Sequence, residues 1–188
     1  QAYIESVLSP KLAGFRRILH VDPDELSQRP CFASNIRLLE KCKLPFDLCV
    51  LARQIPLATE LAGKCPHVQF VLDHCGVPEV ASGQLDPWRR HISEIAKMPN
   101  VTCKISGVIA YCAPGQDPLE AVRPYVEHCL EQFGWDRVVW GSDWPVCTIT
   151  STLRTWVQVT NQLIASADES DQRKLLHENA KRIYRVDS

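Results

Sequence analysis

Two stretches of the chain place acid–base groups directly after buried-type apolar runs. Val68-Gln69-Phe70-Val71-Leu72 runs into Asp73-His74-Cys75-Gly76, and Arg137-Val138-Val139-Trp140 runs into Gly141-Ser142-Asp143-Trp144-Pro145. Short apolar runs of this kind read as strands covered on both faces, as in parallel sheets. In such folds the carboxyl ends of the strands carry the chemistry. If both strands run the same way, His74 and Asp143 reach one rim. An imidazole and a carboxylate there can take a proton from water, polarise a carbonyl or ligate a metal. The plainer roles are a turn residue or helix N-cap for Asp143, and a core histidine bonded to Asp73 or a carbonyl for His74.

The elements that must hold these groups recur along the chain. Strands are predicted at 15–19, 46–52, 69–73, 101–106 and 137–141, with helical patterns between them. Pro56 suits the first turn of one helix, Asp86-Pro87 opens another, and Asp117-Pro118-Leu119-Glu120 is capping-box-like. Residues 22–30 read as a loop. The βα repetition requires a parallel sheet with right-handed crossovers, in a single domain over 1–188.

Composition narrows the partners. A net charge of −1 gives no electrostatic case for nucleic acid or an anionic membrane, and no apolar run is long enough to span a bilayer. The 9 Cys contain no C-x-x-C pair and read as small buried hydrophobes in a reducing, cytoplasmic setting, Cys49, Cys103 and Cys129 among them. A Cys75–His74 nucleophile pair is disfavoured, because neighbours on an extended backbone face opposite ways. Gly141-Ser142-Asp143 is not a nucleophile elbow.

Six segments occur in order: Gly14-Phe15-Arg16, Phe46-Asp47-Leu48, Phe70-Val71-Leu72-Asp73-His74-Cys75-Gly76, Cys103-Lys104-Ile105-Ser106-Gly107, Trp140-Gly141-Ser142-Asp143-Trp144-Pro145 and Asn179-Ala180-Lys181-Arg182-Ile183-Tyr184. Together they resemble the lactonase branch of the amidohydrolase superfamily, whose fold is a (β/α)8 TIM barrel. The resemblance implies an α/β partial barrel with about five βα units that hydrolyses a lactone or similar cyclic ester. Asp143 would be the general base and His74 a carbonyl or metal ligand, with Arg16, Gln54 and Lys104 binding substrate. Lys104, inside a strand, has two readings: it points toward the site, or it pairs with a buried acid. If the complete enzyme uses a divalent metal such as zinc, His74 and Asp143 are the expected ligands.

The family's first strand ends in His-x-His, and no two of the 6 His here stand two apart. The expectation is therefore a chain comprising the last five units of the barrel, aggregated, molten or assembled edge-to-edge when expressed alone, with little metal of its own. The implied partner is a small-molecule substrate, with homo-oligomer formation left open. Rival readings are a decarboxylase of the same superfamily, and an inactive fragment or non-catalytic subunit.

Overall fold

A computed structural model describes residues 2–186. Its centre is one parallel sheet of β1 (Phe15–Ile18), β2 (Phe46–Cys49), β3 (Phe70–Leu72), β4 (Val101–Ile105) and β5 (Val138–Trp140). Spatial order equals sequence order, so the sheet winds in one direction, as a barrel does, and never reverses at a switch point. Phe46 stands opposite Phe15 and Phe70, Phe70 opposite Val101, and Cys103 opposite Val138. This is the partial (β/α)8 arrangement anticipated from the sequence. The strands begin within a residue of the expected positions but end sooner. Tight turns at Ala52–Gln54 and Asp73–Gly76 follow β2 and β3 and carry the chain out of the sheet.

Helices α1 (Ala2–Val7), α2 (Glu25–Gln28), α3 (Pro30–Cys42), α4 (Ile55–Lys64), α5 (Trp88–Ala96), α6 (Pro118–Phe133), α7 (Leu153–Leu163), α8 (Glu169–Arg173) and α9 (Asn179–Tyr184) fill the connections. The 22–30 segment is thus not all loop. Arg53 pairs with Asp24 and Gln54 Nε2 donates to it at 2.6 Å, which pins the segment just ahead of α2 to the turn after β2. Pro87 precedes α5 and is not in its first turn. Asp117 caps α6 by accepting from the Glu120 amide at 3.0 Å, and Gly134 ends it at φ 67°.

The two sheet faces differ. Phe46, Leu48, Phe70, Leu72, Val101, Cys103 and Ile105 join the main core together with the helices. Val71 and Val139, on the opposite face, pack with Ile183 of α9. Asn179 fixes that helix by donating to the carbonyls of Trp135 and Val138, both at 2.7 Å. Helix α7 is tied to β5 by the buried Trp156, whose Nε1 donates to the Gly141 carbonyl at 2.9 Å. The Trp140 Nε1 returns a bond of 2.9 Å to Thr160 Oγ1. All nine cysteines are free, and Cys49, Cys103 and Cys129 are buried as expected.

Candidate active site

His74 and Asp143 occupy backbone that resists most side chains. His74, Cys75, Gly76 and Val77 are consecutive left-handed residues at φ 55°, 52°, 68° and 48°. Asp143 is likewise left-handed at φ 51°. Each such non-glycine residue costs about 1–2 kcal/mol, and strain of this kind gathers at functional sites. The Trp88 indole secures the first turn by donating to the Cys75 carbonyl at 2.7 Å. The Cys147 amide secures the second by donating to the Asp143 carbonyl at 3.0 Å.

The two side chains meet. His74 Nδ1 lies 2.8 Å from Ser106 Oγ and 3.7 Å from Asp143 Oδ2. That carboxylate oxygen is buried and has no hydrogen-bond partner. Gly107, at φ 71°, makes the approach possible: a Cβ there would stand 2.8 Å from Asp143 Oδ2 and 2.9 Å from His74 Nδ1. Burial pushes the His74 pKa below its ordinary value, despite the carboxylates of Asp73 and Asp143. Burial likewise pushes Asp143 up, against the pull of His74 and Arg16. Both shifts disfavour an ion pair, so the contact is one between a neutral imidazole and a carboxylate of enhanced basicity.

A charged column stands beside this pair. Lys104 Nζ bonds Asp47 Oδ2 and Asp73 Oδ1, each at 2.6 Å. Arg16 Nε approaches Asp73 Oδ2 at 3.4 Å and leaves its side chain 45% exposed, whereas Asp73 is fully buried. Tyr184 of α9 reaches the Asp47 carboxylate at 2.9 Å, and its ring lies under the Lys104 ammonium at 5.5 Å. Burial disfavours the charged Lys104, but Asp73 and Asp47 outweigh it and raise its pKa. Burial raises Asp47 despite Lys104. An open cleft of about 340 Å³ has Arg16, His74, Lys104, Ser106, Asp143 and Trp144 among its walls.

The structure thus joins the two readings of Lys104: it pairs with buried acids and also lines the cleft. Arg16 reaches the cleft as well, from the second position of β1. Gln54 does not. It is 3% exposed and spends its amide on the Leu51 N–H, the Leu19 carbonyl and Asp24, so it clamps the turn after β2. The argument against a Cys75 nucleophile also changes. The backbone is not extended there, yet the thiol faces the core, 3.8 Å from the Lys104 carbonyl. Ser106, Asp73, Asp47 and Tyr184 join the site without a local sequence pattern that marks them. An acid in the middle of a buried strand, as at Asp47, is a signal that a cation must be near.

For a divalent metal the cleft offers His74 and Asp143, fewer than the three protein ligands usual for catalytic zinc. Cys49, Asp73 and His74 also present ligand atoms within 4.8 Å of one another. Asp73, however, already faces Lys104 and Arg16, and burial pushes the Cys49 thiol up to about 11. The donor set among the described residues therefore does not fit a catalytic zinc on its own.

A family model described as amidohydrolase matches residues 1–186. An L-fucono-1,5-lactonase of Burkholderia ambifaria is 33% identical over 183 residues, covering 95% of this chain and 63% of the relative. An L-rhamnono-gamma-lactonase of Scheffersomyces stipitis is 27% identical over 92% of this chain and 59% of its own length. The chain thus spans roughly three fifths of these curated relatives. A crystal structure of an amidohydrolase from Burkholderia multivorans with bound zinc superposes with a TM-score of 0.92 at 25% identity, over 99% of this chain and 69% of that one. With a match along nearly its whole length, and with a one-way parallel sheet that superposes on a barrel enzyme, the chain belongs to the amidohydrolase family.

Proposed function

We propose that this chain carries the acid–base part of an active site that hydrolyses the cyclic ester of a sugar acid. The observation that carries the reading is the buried, unpartnered Asp143 Oδ2 standing 3.7 Å from His74 Nδ1 on the cleft wall. The lactonases among the relatives support the choice of substrate class.

In this reading a water held by Asp143 attacks the lactone carbonyl. Asp143 takes the water's proton, and desolvation makes its carboxylate a stronger base than one in solution. The neutral His74 donates a hydrogen bond to the carbonyl oxygen as negative charge gathers there. Ser106 holds the ring in place through Nδ1. Collapse of the tetrahedral intermediate breaks the ring C–O bond, and Asp143 returns the proton to the departing alkoxide. The product is an open-chain hydroxy acid whose new carboxyl group loses its remaining proton to solvent and leaves as a carboxylate. Arg16, half-exposed at the cleft, is placed to bind that carboxylate or a substrate hydroxyl. Lys104, its charge balanced by Asp47 and Asp73, lines the same cleft as a further hydrogen-bond donor to a substrate oxygen.

The test is a product assay on the full-length protein. L-fucono-1,5-lactone and L-rhamnono-gamma-lactone should be opened to their acids faster than the spontaneous rate. Release of CO2 from a carboxylic acid substrate, with no lactone opening, would replace this reading with the decarboxylase one.

A further inference from the structure

On the helix side of the sheet, away from the cleft, three thiols converge. Cys75 comes from the turn after β3, Cys103 from the middle of β4 and Cys129 from α6. All three are fully closed to solvent and belong to the main hydrophobic core. Their sulfur atoms all lie within 4.8 Å of one another. Three sequence-distant elements thus aim sulfur at one point.

Charge decides what such a point can hold. Thiolate sulfur selects soft ions. Three thiolates around zinc would leave one negative charge and an unfilled fourth position; around copper(I) they would leave two negative charges. Burying either in an apolar core is unfavourable without a paired cation. A trivalent thiophilic centre leaves no charge and needs no fourth ligand. With arsenous acid, three As–O bonds break and three As–S bonds form. Each thiol proton departs with a hydroxide as water, and no oxidation state changes. We propose that Cys75, Cys103 and Cys129 form a closed three-thiol site for a trivalent thiophilic metalloid, with arsenite as its probe. Because the thiols are buried, loading proceeds through local opening of the core and is slow.

The experiment incubates the reduced full chain with arsenite and weighs it intact by native mass spectrometry. The expected adduct is one per chain, heavier by one arsenic less three hydrogens, with no retained hydroxyl. X-ray absorption at arsenic should count three sulfur neighbours. Cys129→Ala, and Cys129→Ser as the variant closer in size, should lose the adduct or convert it to a two-sulfur form that keeps a hydroxyl. Apparent affinity should weaken at least about tenfold, which is about 1.4 kcal/mol. Cys31→Ser, at an exposed thiol, should change nothing. A wild-type adduct that retains a hydroxyl, fewer than three sulfur neighbours, an adduct unaffected in both folded Cys129 variants, or uptake of one zinc with no arsenic would each overturn the proposal. The sulfur count is read on the wild-type chain, so it decides the matter even if neither Cys129 variant folds.

Discussion

His74 Nδ1 and Asp143 Oδ2 stand 3.7 Å apart although they follow β3 and β5, which are not neighbours in the sheet. Burial moves the two groups toward their uncharged forms: His74 down and Asp143 up. The contact therefore stores basicity in Asp143 at the expense of a stabilising ion pair.

Asp143→Asn should lower kcat by about 10²–10⁴-fold, the usual range for loss of a general base. It should not lower the melting temperature at neutral pH. A carboxyl raised above its unfolded value of 3.8 adds stability that is fully present below 3.8 and lost as pH rises through the folded value. The amide does not titrate and escapes that loss. Thermal melts of both proteins across pH check it; a variant melting several degrees lower at pH 7 would show that the carboxylate makes a stabilising contact.

The acid limb of kcat/KM should lie above 3.8. Asp143 must be deprotonated, and its pKa is raised from 3.8; His74 must be neutral, and its pKa is lowered from 6.5. A pH–rate profile of the wild-type enzyme locates the limb. A limb at or below 3.8 would remove Asp143 from the role of base.

Lys104→Met should destabilise by about 3–5 kcal/mol, because it leaves two buried carboxylates without their shared cation. Denaturant unfolding measures this. Adding Asp47→Asn to the same chain should restore part of the loss, whereas two independent sites would simply add.

Gln54→Leu should cost stability of about 1–3 kcal/mol and leave KM unchanged. Its amide satisfies the Leu51 N–H and the Leu19 carbonyl, and it does not reach the cleft. A raised KM in a variant of normal stability would return Gln54 to the substrate.

Much of the fold was legible in the sequence, because a buried parallel strand is a continuous apolar run and its ends are marked by turn residues. Phe70-Val71-Leu72 and Val138-Val139-Trp140 announce themselves in this way, and the acid–base residues follow directly. What was not legible depends on cross-strand register. Asp47 and Asp73 flank Lys104 only because β2, β3 and β4 stack in order with their alternate residues aligned. No local pattern reports that Ser106 comes within 2.8 Å of His74 either. The 22–30 segment misled for a related reason: Asp24 is held by Arg53 and Gln54, residues with no visible relation to it in sequence. The polar partners of Gln54 were hidden in the same way, and its position after a strand suggested the rim.

The strand order also bears on how the chain is made. Each strand from β2 to β5 pairs with the one synthesised just before it, so the sheet can grow stepwise as the polypeptide leaves the ribosome. A contact of much longer reach forms last. Tyr184 closes on Asp47 across 137 positions. Until it arrives, the Asp47 carboxylate and the ammonium it shares with Asp73 lack their lower wall. A nascent chain stalled before residue 179 would hold a paired sheet whose inner face is still wet, and its charges would harden into their final arrangement only when α9 docks.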